Sequence, residues 1–220
     1  MITMGVDLER SRTALALAQR HPEVFAGIGH LPSEAAAPDI AAMRVLAADP
    51  RAVAIGEVGL EFEEAGSPPH EVQMTRLDEL LALAVETRLP VSIHNRGAAT
   101  ELVAAIVGHR GLRGVMHYFA LEWDWAERFL ELGFYLSFAG LVTRPSRRAL
   151  RDVVRRCPAD RLLIETDSPF GNAHSRMGVQ NRPAYLLDTA ILVAELRGIS
   201  LEELAEIEHA NALALFAKLR

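Results

Sequence analysis

Pro90-Val91-Ser92-Ile93-His94-Asn95-Arg96 is a short apolar run that ends in polar, chemistry-bearing residues, and a segment of helical spacing follows it over 98–107. Outward from this stretch the same two-part unit recurs. Apolar, often β-branched runs stand at 2–6, 24–29, 52–56, 90–94, 113–117, 133–138 and 161–165. Helically spaced segments follow at 10–20, 40–48, 72–87, 98–107, 123–132 and 146–156. In the third of these, Leu77, Leu80, Leu81 and Ala84 line one helical face. Beyond residue 165 the spacing predicts helices only: 185–196, opened by Pro183, then 201–209 and 210–219. Ser200 with Glu203 forms a capping-box start for the second of them.

Alternating strands and helices predict an α/β fold with a parallel sheet and helices outside it, in a single domain over 1–220. A TIM-type (β/α) barrel usually closes with eight strands in roughly 250 residues. This chain has 220 residues and seven such runs, one βα unit short on both measures. An open doubly wound sheet would accept seven strands, so the count leaves both open. The polar residues favour the barrel.

Four potential metal ligands sit where an apolar run gives way to a loop. Glu57 follows 52–56, His94 ends 90–94, His117 ends 113–117, and Asp167 lies two residues past 161–165. In a barrel these ends share one face, the face that carries active sites. Imidazoles and carboxylates suit divalent Zn²⁺, Mn²⁺ or Fe²⁺ and leave positions open for water, which such a metal acidifies into a nucleophile. A second ion nearby would clamp the leaving oxygen of a phosphodiester. Each residue alone has a plainer reading. Glu57 could cap a turn or pair with an arginine, His94 and His117 could be satisfied core histidines, and Asp167 could close an Asx turn before Pro169. Their matching placement favours the metal. Glu165 is expected to sit beneath the ligands rather than among them. Arg96 is placed to bind a substrate anion, or else forms a surface salt bridge.

The other histidines contribute less. His21, His70, His109 and His209 read as exposed, whereas His30 and His174 lie in loops that could line the pocket. Trp123 and Trp125 read as helix packing. Walker, G-x-G-x-x-G and G-x-S-x-G motifs are all missing, and Cys157 has no nucleophile context.

Composition narrows the function further. The chain is 50% hydrophobic and 24% charged, which suits a folded domain with a sizeable core. A net charge of −6 means that any nucleic acid must be held by local groups or cations, not by the global field. The single cysteine excludes a disulfide framework and a Cys-rich zinc cluster. No window reads as a signal peptide or membrane span, so the expectation is a cytoplasmic protein with no membrane partner.

With these residues in hand, the chain resembles the TatD family of metal-dependent hydrolases. Gly56-Glu57-Val58-Gly59-Leu60 is similar to the family's G-E-x-G-L-D stretch, and 89–96 to its P-x-x-x-H-x-R strand end. His117-Tyr118-Phe119 matches H-x-F, and 162–169 matches L-L-x-E-T-D-x-P. Phe134–Phe138 with Gly140, Asn181 with Pro183, and Asn211 with Phe216 follow the pattern too. The resemblance implies a (β/α) barrel and a magnesium-, manganese- or zinc-dependent deoxyribonuclease, of 3′–5′ exonuclease type, acting on DNA or another phosphodiester. By matching motifs, Glu57 would bridge two ions, His94 and His117 would hold one, and Asp167 would ligate the other and handle the proton of its water. Asn181 would bind substrate.

Departures from the family matter as well. Its opening strand ends in D-x-H-x-H, and this sequence contains no H-x-H; its first residues look like the family's second strand. The first βα unit is therefore expected to be missing, by gene model or by truncation. That would leave barrel edges open to pairing with a second copy of the chain. One firmly bound ion is expected rather than two, with reduced activity. Glu61 stands for the usual aspartate, Leu121 for a glycine and Gln180 for an arginine, and Gly29-His30-Leu31-Pro32 departs from a G-x-H-P order. Two other functions stay open: a metal-dependent hydrolase of esters, amides or aminoacyl-tRNA, and a ligand-short scaffold without turnover.

Overall fold

The structure is a computed structural model, and it describes residues 1–219. Strands and helices alternate from the start: β1 (Ile2–Met4), α1 (Leu8–Arg20), β2 (Phe25–Ile28), α2 (Ile40–Ala47), β3 (Ala52–Glu61) and α3 (His70–Thr87). They continue with β4 (Val91–Arg96), α4 (Ala99–Gly108), β5 (Gly114–Met116), α5 (Trp123–Glu131), β6 (Tyr135–Phe138), α6 (Arg148–Arg156) and β7 (Leu162–Ile164). Two helices close the chain, α7 (Leu186–Arg197) and α8 (Leu201–Leu215). Among the described residues no helix is long and apolar enough to cross a membrane.

The chain divides into two compact units. The first holds Met1–Val115 together with the segment from Leu215 on, and the second holds Met116–Ala214. In the first unit β1, β2, β3 and β4 neighbour one another in chain order, and the pairs β1–β2, β2–β3 and β3–β4 are parallel. Ile28, Ile55, Leu60 and Ile93 on these strands and Leu77, Leu80 and Leu81 on α3 are fully buried. Each such side chain contributes on the order of 2 kcal/mol through the area it removes from water. Arg51 ties this unit's base together, donating to the carbonyls of Ala18 at 3.1 Å and His21 at 3.0 Å while its guanidinium lies over the Phe25 ring.

In the second unit β6 and β7 are parallel, with Leu136 opposite Leu162 and Phe138 opposite Ile164. Phe129, Phe134 and Phe138 supply its largest fully buried side chains. The N–H of Glu165 donates to Phe138 at 3.1 Å, so the polar backbone atoms of Leu162 and Ile164 point away from β6. Helix α8 meets them there. Asn211 Nδ2 donates to the carbonyl of Leu162 at 2.7 Å and to that of Ala159 at 2.7 Å. The N–H of Ile164 faces Glu208, one helical turn away on the same face of α8.

Two elements differ from expectation. The run at 52–56 extends to Glu61, because Val58 and Leu60 are fully buried and pair onward with Ile93 and Asn95. Glu57 thus lies inside β3 rather than at its end, where the register against β4 shifts between Ile55 and Val58. The two helices expected over 201–209 and 210–219 are one helix, α8, with a 3₁₀ turn after it. Nothing at His209-Ala210 stops the helix, since neither Gly nor Pro interrupts an alanine-rich stretch. Its start is the expected capping box: Glu203 N donates to Ser200 Oγ at 3.1 Å, and Ser200 N to Glu203 Oε2 at 2.8 Å.

Candidate metal centre

In the first unit, strands β3 and β4 bring Glu57, Glu61 and His94 together. Strand alternation puts Glu57, Gly59 and Glu61 on one face of β3, and Gly59 is registered beside His94. That approach demands glycine, because a Cβ at position 59, where φ is 151°, would lie 2.0 Å from the His94 carbonyl oxygen. The His94 ring stands between two carboxylates, with Nδ1 3.0 Å from Glu57 Oε1 and Nε2 3.2 Å from Glu61 Oε2.

The two carboxylates are not equivalent. Glu61 is buried, and its Oε1 accepts the N–H groups of Glu63 and Glu64, each at 2.9 Å. Its main chain is clamped by the Gln73 amide, which accepts from Glu61 N and donates to Glu61 O, both at 2.8 Å. Glu61 is thus fixed by the fold and orients the ring, as carboxylates behind metal-binding histidines do. Glu57 is half-buried, its carboxylate beside the His94 ring, and its backbone carbonyl accepts from His30 N at 2.9 Å. Its carboxylate oxygen could serve as a metal ligand.

Beside them, the His30 ring is buried. Burial first, then the nearby Arg76 charge, hold its pKa below the usual imidazole value, and its Nε2 has no hydrogen-bond partner. Arg96, for which substrate-anion binding and a surface salt bridge were both open, pairs with Glu63 at 3.1 Å and is largely exposed.

In the second unit, His117, Glu165 and Asp167 each place a ligand atom within 4.8 Å of the others. His117 Nδ1 lies 3.0 Å from Glu165 Oε1, which also accepts the N–H of Tyr118 at 3.0 Å, while Ser137 Oγ donates to Glu165 Oε2 at 2.5 Å. The Glu165 carboxylate acts as acceptor here, which assigns the proton to Nδ1 and makes Nε2 the ring atom suited to a metal. Glu165 therefore sits beneath His117 and orients it.

Asp167 has a left-handed backbone, φ 59°, in a loop fastened at both ends. Phe170 N donates to Asp167 O at 2.8 Å, and Asn181 Nδ2 donates to the carbonyl of Thr166 at 2.7 Å and to that of Phe170. Asn181, expected to bind substrate, is buried and holds this loop instead. Gly171 gives the loop its room, because a Cβ there would lie 2.8 Å from the Tyr118 ring and 2.9 Å from Asp167 Cβ.

The remaining expectations resolve simply. His174 is exposed, and its backbone N–H donates to Thr143 Oγ1 at 2.6 Å. His109 is half-buried rather than exposed, with Nδ1 2.9 Å from the carbonyl oxygen of Ala105. Trp123 packs beneath Arg156 and Trp125 beneath Arg128, on the surface of α5 and its surroundings. Burial pushes the Cys157 thiol up to about 12, which leaves it inert as a nucleophile. The orienting roles of Glu61, Ser137 and Tyr118 N were not singled out from sequence. For Glu61 a signal existed, since a second carboxylate four residues on along a strand shares the face of Glu57.

The donor set in each unit, imidazole with carboxylate and a second carboxylate fixing the ring, fits a divalent cation. Comparison with known proteins agrees. Residues 1–217 match the family model described as TatD related DNase. The chain is 35% identical to the metal-dependent hydrolase YabD of Bacillus subtilis over 98% of its own length and 86% of the relative's. It is 32% identical to the metal-dependent hydrolase TatD of Mycobacterium tuberculosis, over 96% of this chain and 83% of that one. The crystal structure of YjjV, a TatD homologue of Escherichia coli K12, superposes with a TM-score of 0.91 at 30% identity, covering 98% of this chain and 85% of that one. The expected α/β fold of the TIM-barrel type is therefore correct, and the chain belongs to the TatD family of metal-dependent hydrolases.

Proposed function

We propose that the protein hydrolyses phosphodiester bonds, with DNA as its substrate, and that Glu57 and His94 in the first unit and His117 and Asp167 in the second are metal ligands. The observation that carries this is the second unit's cluster, where His117 is fixed through Nδ1 by Glu165 with Asp167 within ligand reach. The name of the matching family model, TatD related DNase, supports the choice of substrate.

A divalent ion bound there would polarise the phosphoryl group and acidify water at neutral pH. The chain's own residues do the rest. Glu61 and Glu165 keep the two rings aimed, so that little reorganisation is needed when substrate arrives. Asp167 accepts the proton of the attacking water on its carboxylate, as the phosphorus gains the water oxygen and its bond to the leaving oxygen breaks. The Asn181 clamp and the Gly171 gap keep that carboxylate in place.

The test is hydrolysis of bis(p-nitrophenyl) phosphate against p-nitrophenyl acetate by Mn²⁺-, Mg²⁺- and Zn²⁺-loaded protein, with metal stoichiometry measured on the same samples. Diester turnover that vanishes in His94→Ala and His117→Ala, with about one ion per chain, supports the reading. Turnover of the acetate alone points to an ester hydrolase. Undiminished diester activity in both variants overturns the assignment.

A further inference from the structure

Between β3 and α3 the chain runs through a loop, 62–69, none of whose apolar side chains is fully buried. Residues 63–66 are exposed, and Phe62, Ser67 and Pro68 are half-buried. Its order therefore depends on polar contacts, and segments of that kind open locally at small cost. The contacts converge on two buried side chains, Glu61 and Gln73. Glu61 Oε1 accepts the N–H groups of Glu63 and Glu64, each at 2.9 Å. At the far end the Gln73 amide donates to the carbonyl of Pro68 at 2.8 Å, and the same amide grips the backbone N–H and carbonyl of Glu61. Gln73 thus closes the loop and seats Glu61 together.

The other oxygen of Glu61 faces the metal centre. Oε2 lies 3.2 Å from His94 Nε2, while Nδ1 of the same ring lies 3.0 Å from Glu57 Oε1. A neutral imidazole carries one N–H, so at any moment one of these two carboxylates receives a hydrogen bond from the ring and the other does not. With the N–H on Nδ1, the lone pair of Nε2 confronts Glu61. A cation held by Glu57 and Nδ1 removes that state, because the N–H then stands on Nε2 and donates to Glu61 Oε2. Filling the site therefore adds a hydrogen bond to the carboxylate that carries the loop. Ring, carboxylate and the two backbone N–H groups are consecutive partners in this link.

We propose that metal occupancy at His94 and order in the loop 62–69 are one linked equilibrium, with Glu61 as the link and Gln73 as the positioning residue that sets it. The loop firms when the cation binds, and by reciprocity a fastened loop raises the affinity for the cation. This rests on the metal-ligand reading of Glu57 and His94 and is independent of the substrate. It makes the segment beside the site report whether the site is filled: metal-free protein shows a loosened loop, and loaded protein a closed one.

The test is hydrogen–deuterium exchange read by mass spectrometry on the whole chain, at one pH, with and without Zn²⁺, and with bound zinc counted on the same samples. Zinc should slow exchange across 62–69 about tenfold, the factor carried by one hydrogen bond to a charged group. The turn at 109–113, which leads into β5, should not change. His94→Ala should lose the slowing. Glu61→Gln should lose it too while still binding zinc, because an amide has one acceptor oxygen where the carboxylate uses two. Gln73→Ala should exchange faster over 62–69 and bind zinc about five- to tenfold more weakly in chelator competition. If Gln73→Ala fails to fold, Glu61→Gln still decides. Bound zinc without slowing in wild type overturns the link and leaves the metal site standing. Equal slowing in Glu61→Gln does the same, as does wild-type zinc affinity in a folded Gln73→Ala whose loop exchanges faster. No bound zinc in wild type overturns the link and the metal reading together.

Discussion

His117 and Glu165 are joined by a 3.0 Å contact from Nδ1 to Oε1, and the same oxygen accepts the Tyr118 backbone N–H. One carboxylate therefore sets both the tautomer and the tilt of the ring. Removing such a partner behind a metal-binding histidine costs roughly 10- to 100-fold in metal affinity. Glu165→Ala is expected to show a loss of that size by chelator competition. Glu165→Gln, which keeps an acceptor for Nδ1–H, should lose less. Equal, wild-type affinity in both would show that His117 is not aimed through Glu165.

Glu61 does more than orient a ring, because its carboxylate also takes the N–H groups of Glu63 and Glu64. Glu61→Ala should weaken metal binding and also destabilise the first unit, since two backbone donors lose their acceptor at a cost of about 1–3 kcal/mol. Urea denaturation of the metal-free protein isolates the second effect. An unchanged midpoint would mean that water replaces the carboxylate without loss.

Glu208 gives the protein a pH-dependent stability with a definite sign. Burial is the main cause that raises its carboxyl from 4.5 to about 8, the Glu165 charge adds to it, and the Ile164 N–H opposes it. The folded state thus holds a proton that the unfolded chain has released between those values, so this group's contribution to stability falls as pH rises from 4.5 to about 8. Glu208→Gln should melt about 2–4 °C above wild type at pH 8.5, for a gain of about 1 kcal/mol, and the two should converge near pH 4. A constant difference across that range would exclude ionisation as its cause.

Asn211→Leu leaves the carbonyls of Ala159 and Leu162 without their amide donor in a buried position. A loss of about 2–4 kcal/mol is expected by thermal or urea unfolding. Metal affinity measured by chelator competition on the folded fraction should change far less than in Glu165→Ala.

Much of the fold was legible because both-face burial writes a parallel strand as an unbroken apolar run. Leu162–Ile164 and Tyr135–Phe138 lie inside the runs read for them, and α3 and α5 follow their apolar spacing. Boundaries suffered where packing overrode local signals: β3 outruns Gly56 because Val58 and Leu60 are buried, a fact of tertiary context. In the site, residue type and strand-end position suggested His94, His117, Glu57 and Asp167. Sequence could not tell that Asn181 faces its own loop or that Arg96 turns to Glu63, because a polar side chain in a loop has several partners within reach. The division of labour between Glu57 and Glu61 depends on which carboxylate the Gln73 clamp and the 63–64 turn immobilise, and only coordinates show it.

Two side chains one turn apart on α8 meet the outward backbone of β7, Asn211 at the carbonyl of Leu162 and Glu208 at the N–H of Ile164. A helix there does the work of a neighbouring strand. Exposed backbone groups of that kind are the template on which foreign β-segments add during aggregation, and here they are already occupied. The protection is a gatekeeper made of side chains, so it can be lost by substitution without any change in the backbone. In a cell such a loss would surface first as insoluble protein, before any change in catalysis.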